Sequence, residues 1–160
     1  MAKSKEVKTN AMRILDSLGI DYEMQSYECD EFVDGLQTAD HLGLPREEVF
    51  KTLVTQGNSK NYFVFVIPIE QELDMKKAAK SVGEKSISMI HVKDLQQITG
   101  YVRGGCTAIG MKKQFVTRIE ETAQLYDKIY VSGGKIGAQL HLSPDDLKTA
   151  AHAEYADIIF

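Results

Sequence analysis

Two strand-like runs joined by a four-residue turn constrain this chain more than any other feature. Phe50 to Gln56 is followed by Gly57-Asn58-Ser59-Lys60 and then by Tyr62 to Ile67. The second run is built from aromatic and β-branched side chains, which suit a pleated, buried strand, and so short a connection predicts a hairpin at the core of a sheet. The first run also carries a cation among apolar residues, Lys51 in Val49-Phe50-Lys51-Thr52-Leu53-Val54.

Around the hairpin the pattern alternates between helix and strand. Val7, Ala11, Ile14, Leu15 and Leu18 follow helical spacing, with Gly19 placed to end the helix in a left-handed conformation. Tyr22 to Tyr27 reads as extended, Asp30 to Gly35 as a loop before a short helix ending near Gly43, and Pro45 with Glu47 and Glu48 as a brief helical turn. Leu73 to Val82 predicts a lysine-rich helix stopped by Gly83, Ser86 to Ile90 a short strand, and the next segment a helix ended by Gly100. Strands follow around Phe115 to Ile119, at Lys128 to Val131, and where Ala138, Leu140 and Leu142 alternate. Ser143-Pro144-Asp145-Asp146 then opens a helix with an N-cap serine and a first-turn proline. This mixed order predicts an α+β fold with a curved mixed sheet.

At 160 residues, with neither linker nor internal repeat, the chain is expected to form one domain over residues 1–160. Apolar residues at 43% and charged residues at 26% suit a soluble globular protein. No stretch approaches membrane-spanning length, and Met1 to Glu6 runs into a helical pattern rather than a secretory signal, so the cytoplasm is the expected address. Cys29 and Cys106 form no CxxC pair, and His41, His91, His141 and His152 lack HExxH spacing, so neither a metal nor another cofactor is expected. A net charge of −4 argues against tight non-specific nucleic-acid binding and leaves room only for a local, salt-sensitive RNA contact. Neither a membrane nor DNA is an expected partner.

The candidate chemistry gathers on Lys51 and two glycine pairs, Arg103-Gly104-Gly105-Cys106-Thr107 and Ser132-Gly133-Gly134-Lys135. A strand lysine can send its ammonium into water, or hold it partly desolvated to orient an ester oxygen, a ribose hydroxyl or a phosphate. The glycine pairs can be plain tight turns, or can let backbone N–H groups approach a developing oxyanion. Neither matches GxxxxGK[ST] or GxGxxG, and no GxSxG elbow is present. Cys106 is a thiol beside the first pair, read as a small packing residue. Lys76, Lys77 and Lys80, with Lys112 and Lys113, form basic clusters that are either a solvated face or contacts to phosphates near an RNA terminus. Tyr27 and Phe32 could stack on a base or an acyl side chain, or lie in the core.

Phe50-Lys51-Thr52-Leu53, Gly100-Tyr101-Val102-Arg103-Gly104-Gly105-Cys106 with Ile109-Gly110-Met111-Lys112-Lys113, and Tyr130-Val131-Ser132-Gly133-Gly134-Lys135-Ile136-Gly137 closely resemble the YbaK/EbsC family. The likeness runs from Thr9-Asn10-Ala11 to Tyr155-Ala156-Asp157-Ile158. The family comprises free-standing relatives of the editing domain of bacterial prolyl-tRNA synthetase, and its best-known members are Cys-tRNA(Pro) deacylases. The resemblance implies a mixed, barrel-like sheet with flanking helices and action on the 3′ end of mischarged tRNA(Pro). Lys51 matches the family's essential lysine, Gly104 and Gly105 match the glycines of its GGxSP loop, and Ser132, Gly133 and Gly134 match its second loop. Tyr27 matches a pocket tyrosine and Phe32 a position in a loop that is shorter here. Thr107 and Ala108 stand where serine and proline are usual, which keeps a hydroxyl but gives up proline's fixed φ and loosens the loop. Gln139 stands where some relatives carry an acidic residue.

In the cysteine-specific members the substrate's own thiol attacks its ester carbonyl and leaves as a thiolactone, so the protein needs to position and stabilise rather than supply a nucleophile. Transient partnership with prolyl-tRNA synthetase is implied as well. Two alternatives stand beside this reading: an Ala-tRNA(Pro) hydrolase that activates water, and a non-catalytic binding module.

Overall fold

A computed structural model of the chain describes residues 8–26 and 43–160. In chain order these form α1 (Asn10–Ser17), β1 (Glu23–Ser26), β2 (Phe50–Gly57), β3 (Tyr62–Pro68), α2 (Met75–Ser81) and β4 (Ile87–Met89). They continue through α3 (Val92–Thr99), β5 (Val116–Glu120), β6 (Ile129–Ser132), β7 (Ala138–Leu142), α4 (Pro144–Ala151) and β8 (Glu154–Ala156). Short 3-10 turns occupy Arg46–Glu48 and Glu121–Leu125. The expected loop from Asp30 and the helix ending near Gly43 fall largely outside the described residues.

The hairpin forms as read, with β2 and β3 antiparallel from Phe50↔Pro68 to Gln56↔Tyr62. It is the middle of a five-stranded sheet ordered β4-β2-β3-β5-β8, antiparallel on the β4 side and parallel from β3 through β5 to β8. A second, antiparallel sheet is ordered β1-β7-β6. The two meet at one parallel bridge, Val49↔Tyr130. The fold is therefore α+β, and among the described residues its strands form two sheets rather than one closed barrel.

Alternation sorts the hairpin's side chains between two cores. Phe50, Val54, Val64 and Val66 join the main core with Ala11, Leu15, Val131, Leu140, Leu142 and Leu147, while Phe63, Phe65 and Ile67 pack on the other face against Ala78 of α2 and Ile158. Phe65 and Ile67 are wholly buried, and each such side chain contributes ~1.5–3 kcal/mol.

Local chemistry sets the helix ends. Thr9 caps α1, and Gly19 at φ 70° closes it with N–H bonds from Gly19 to Asp16 O and from Ile20 to Leu15 O. Leu18, assigned by spacing to the buried stripe, is instead exposed because it is the C-cap, past the last full turn. Gly100 ends α3 at φ 89°, and Ser143 caps α4 by accepting from Asp146 N–H, with Pro144 in the first turn.

The C-terminal segment is tied down by a buried carboxylate. Glu120 is 1% exposed, and its two oxygens accept from Thr122 N–H at 2.9 Å and Ile158 N–H at 3.0 Å. Leu73 bridges Ile159, and Lys77 Nζ donates to Ile159 O at 2.8 Å and pairs with Asp157. Glu120→Ala orphans two backbone donors and should cost about 3 kcal/mol in urea unfolding. A loss below about 1 kcal/mol would show that water reaches both donors.

Candidate active site

The bridge between the sheets sets the register of a polar row. Val49 faces Tyr130 across it, Tyr130 pairs with His141, and His141 with Glu23. Lys51 and Ser132 each stand two residues beyond that bridge on their own strands, and Ser132 pairs with Gln139, which pairs with Gln25. Neighbouring strands lie ~4.8 Å apart, so the polar row Ser132, Gln139, Gln25 crosses three strands in about 10 Å. Phe50 and Val54 face the main core, so alternation turns Lys51 to the opposite face, the one that α2 covers at Ile67. Lys51 is half-buried there. Below the row the Tyr130 and His141 rings stack at 4.0 Å and 4°, and Val49, Leu44 and Ile69 pack with Tyr130.

The two glycine pairs meet. A Cβ on Gly105 would stand 2.8 Å from the backbone C and Cα of Lys135, so only a residue without a side chain lets the loops touch. Gly134, at φ 100°, lies where a Cβ would come within 3.2 Å of Thr9 Oγ1 and of the Tyr101 ring. Several of the donors are already engaged: Gly105 N–H donates to Val102 O, Gly133 N–H to Ala138 O, and Gly134 N–H to Ser132 Oγ at 3.4 Å. Close approach is thus the first reason for these glycines, ahead of the free donors expected of them.

Both loops are held from behind by the start of α1. Thr9 Oγ1 donates to Gly133 O at 2.5 Å while accepting from Met12 N–H. Asn10 Nδ2 donates to Gly110 O at 2.9 Å, and the Tyr101 hydroxyl to Ile109 O at 2.6 Å. Burial pushes the Tyr101 phenol above its ordinary range, keeping it a donor. Thr107 is fully buried, with Oγ1 accepting from Ile109 N–H at 3.4 Å, and Ala108 packs in the main core. Core packing therefore holds the segment that the lost proline was expected to loosen. A cleft of about 390 Å³ opens between Asn10, Tyr101, Gly110 and Lys112.

The lysines divide. Lys77 is bound to the C-terminal segment, and Lys112 Nζ donates to Gln97 O at 3.1 Å in the last turn of α3, where a cation complements the helix dipole. Lys76, Lys80 and Lys113 are exposed. Tyr27 and Phe32 lie outside the described residues. Among the described residues no group of three or more His, Cys, Asp or Glu side chains is clustered as a metal site would need.

Cys106, partly accessible, is held in its protonated and less reactive form. Desolvation by burial pushes its thiol up to about 12, against a smaller lowering by a hydrogen bond with Thr99. Thr9, Asn10 and Tyr101 were missing from the sequence-based site. Thr9 carried a signal, a threonine directly before an amphipathic helix; the long-range bonds of Asn10 and Tyr101 carried none.

Lys51 is thus half-buried beside the seam of two sheets, and the two glycine loops touch. Comparisons with known proteins give the class. Residues 33–150 match the aminoacyl-tRNA editing domain. A protein of Enterococcus faecalis, named as a candidate Cys-tRNA(Pro)/Cys-tRNA(Cys) deacylase, EbsC, is 45% identical over 160 residues, covering 99% of this chain and 98% of its own. Among solved structures, a hypothetical protein superposes with a TM-score of 0.85 at 22% identity, covering 95% of this chain and 100% of its own. A candidate trans-editing enzyme for prolyl tRNA synthetase gives 0.79 at 19%, covering 97% and 99%. The chain belongs to the aminoacyl-tRNA editing domain family.

With its pKa raised to about 12, Cys106 should alkylate at pH 8 about 1,000-fold more slowly in the native protein than in denaturant, judged against an ordinary thiol near ~8.5. Mass spectrometry of the Cys106 peptide measures this, and equal rates would mean the thiol is open.

Proposed function

We propose that this protein is a trans-editing deacylase that removes cysteine from Cys-tRNA(Pro), in a single editing domain spanning residues 1–160. The observation that carries the reading is the pairing of a half-buried Lys51 and touching glycine loops with a local thiol held in its unreactive form. Such a site can position an ester, and the nucleophile comes from the substrate. A cysteinyl thiol has pKa near ~8.5, so about 3% is thiolate at pH 7 without any protein base. The sulfur attacks the ester carbonyl, the C–O bond to the ribose breaks, the thiol proton passes to the departing 3′ oxygen, and a thiolactone leaves. Holding sulfur and carbonyl in contact supplies rate through proximity, and polar groups fixed around the developing oxyanion lower the barrier further.

Lys51 is assigned to orient the ester and terminal ribose. Ser132 and the glycine loops at 104–105 and 133–134 are assigned to the wall around the acyl group, with Thr107 holding the first loop from inside. Tyr27 and Phe32 are assigned to substrate binding by family likeness alone. Lys76, Lys80 and Lys113 are the ammonium groups assigned to tRNA phosphates, while Lys77 and Lys112 serve the fold first. A grip that small suits delivery of the tRNA 3′ end by prolyl-tRNA synthetase in a transient complex in the cytoplasm. No helix among the described residues is long and apolar enough to cross a membrane.

Purified protein mixed with Cys-tRNA(Pro), Ala-tRNA(Pro) and Ser-tRNA, with and without prolyl-tRNA synthetase, should strip cysteine alone. Loss of alanine would replace the substrate thiol with activated water, and loss of neither would leave a binding module. Lys51→Ala should fold and lose on the order of 10²–10³ in single-turnover rate; retained activity would remove Lys51 from its role.

A further inference from the structure

Gln139 is 9% exposed, and its Oε1 is buried with no hydrogen-bond partner among the described residues. Buried polar oxygens are ordinarily paired, so an oxygen left open by the described residues is a place for a ligand donor. Its surroundings narrow which one. Ser132 and Gln25 flank it at the same level on the neighbouring strands, and Ser132 Oγ is engaged by Gly134 N–H. Along the strand the Tyr130–His141 stack closes one side. Lys51 stands two residues past the bridge that joins β2 to β6, as Ser132 does on β6, so the lysine and the glutamine belong to the two sides of one seam.

We propose that Gln139 is a specificity residue whose Oε1 accepts a hydrogen bond from the neutral α-amino group of the aminoacyl ester; the assignment rests on the deacylase reading above. Lys51 is a donor and answers the oxygens of ester and ribose, which leaves the orphaned acceptor to meet a substrate donor. One bond from the ester carbonyl carbon, the α-carbon carries the amine, a good donor. The thiol is a weak donor whose proton must depart during the reaction. An amide oxygen has no charge to offset a second cation close to Lys51, so the neutral amine is the form that fits, where a carboxylate at this position would favour the ammonium.

The test compares single-turnover cleavage of Cys-tRNA(Pro) with that of the same tRNA bearing 3-mercaptopropionate, which keeps the thiol and lacks the amine. The wild type should prefer the cysteinyl ester by about 10-fold or more, the usual scale for an unmet buried hydrogen bond. Gln139→Leu should bring that ratio near one while folding at least as stably, because the orphaned oxygen is gone. Gln139→Glu should move the pH optimum down, toward the ammonium form. A preference kept by Gln139→Leu, or a pH profile unchanged by Gln139→Glu, overturns the assignment. If neither ester is cleaved by any of the proteins, the deacylase reading fails by itself. Gln139 is then decided by binding of 3′-cysteinylamino-adenosine against its des-amino counterpart, where equal affinity in the wild type overturns it.

Discussion

One backbone bridge, Val49↔Tyr130, governs what the rest of the molecule can do. It is the seam between a five-stranded sheet that carries the lysine and a three-stranded sheet that carries the serine and the glutamine. A slip of one residue there would turn Lys51 toward the main core, because side chains alternate along a strand. That slip is resisted from both sides: Phe50 and Val54 are buried in the main core, while Val49 packs on Leu44, Ile69 and Tyr130. The register of the polar row is thus secured by apolar contacts that never touch a substrate.

The loops above the row depend on a second constraint, the absence of side chains where two backbones meet. Gly105 rests on Lys135, and Gly134 rests on Thr9 and Tyr101. Thr9 joins this contact to the helix behind it, since one hydroxyl both caps α1 and holds Gly133 O. A helix N-terminus and a glycine loop far apart in sequence therefore share one hydrogen-bonding atom, and the order of the helix becomes part of the order of the site.

Much of this was legible in the sequence wherever the signal was local. The hairpin, the glycine ends of α1 and α3 and the serine cap of α4 each follow from a few adjacent residues, and each lies where expected. Lys51 and the glycine pairs were singled out together, and the two loops do touch. What was hidden depends on distant pairing. Nothing local says that β5 runs parallel to both β3 and β8, and β8, at three residues, is too short to show alternation. Lys77 and Lys112 look alike in sequence to their exposed neighbours and are occupied only because Ile159 O and Gln97 O come within reach. Gln139 read as a departure from a family pattern; that its Oε1 is buried without a partner among the described residues shows only in three dimensions.

The occupation of those two ammonium groups bears on how such a protein would handle a long polyanion. Each phosphate contact releases counterions and steepens the dependence of binding on salt by about 0.7 to 0.9 of a logarithmic unit per contact. Among the described residues Lys77 and Lys112 are tied to main-chain oxygens, which leaves three of the five lysines in the two basic clusters without such a tie. On the proposed function this gives a shallow salt dependence and a short residence on the nucleic acid. A protein that leaves quickly can sample many acceptor ends, most of them correctly charged, without withholding them from the ribosome.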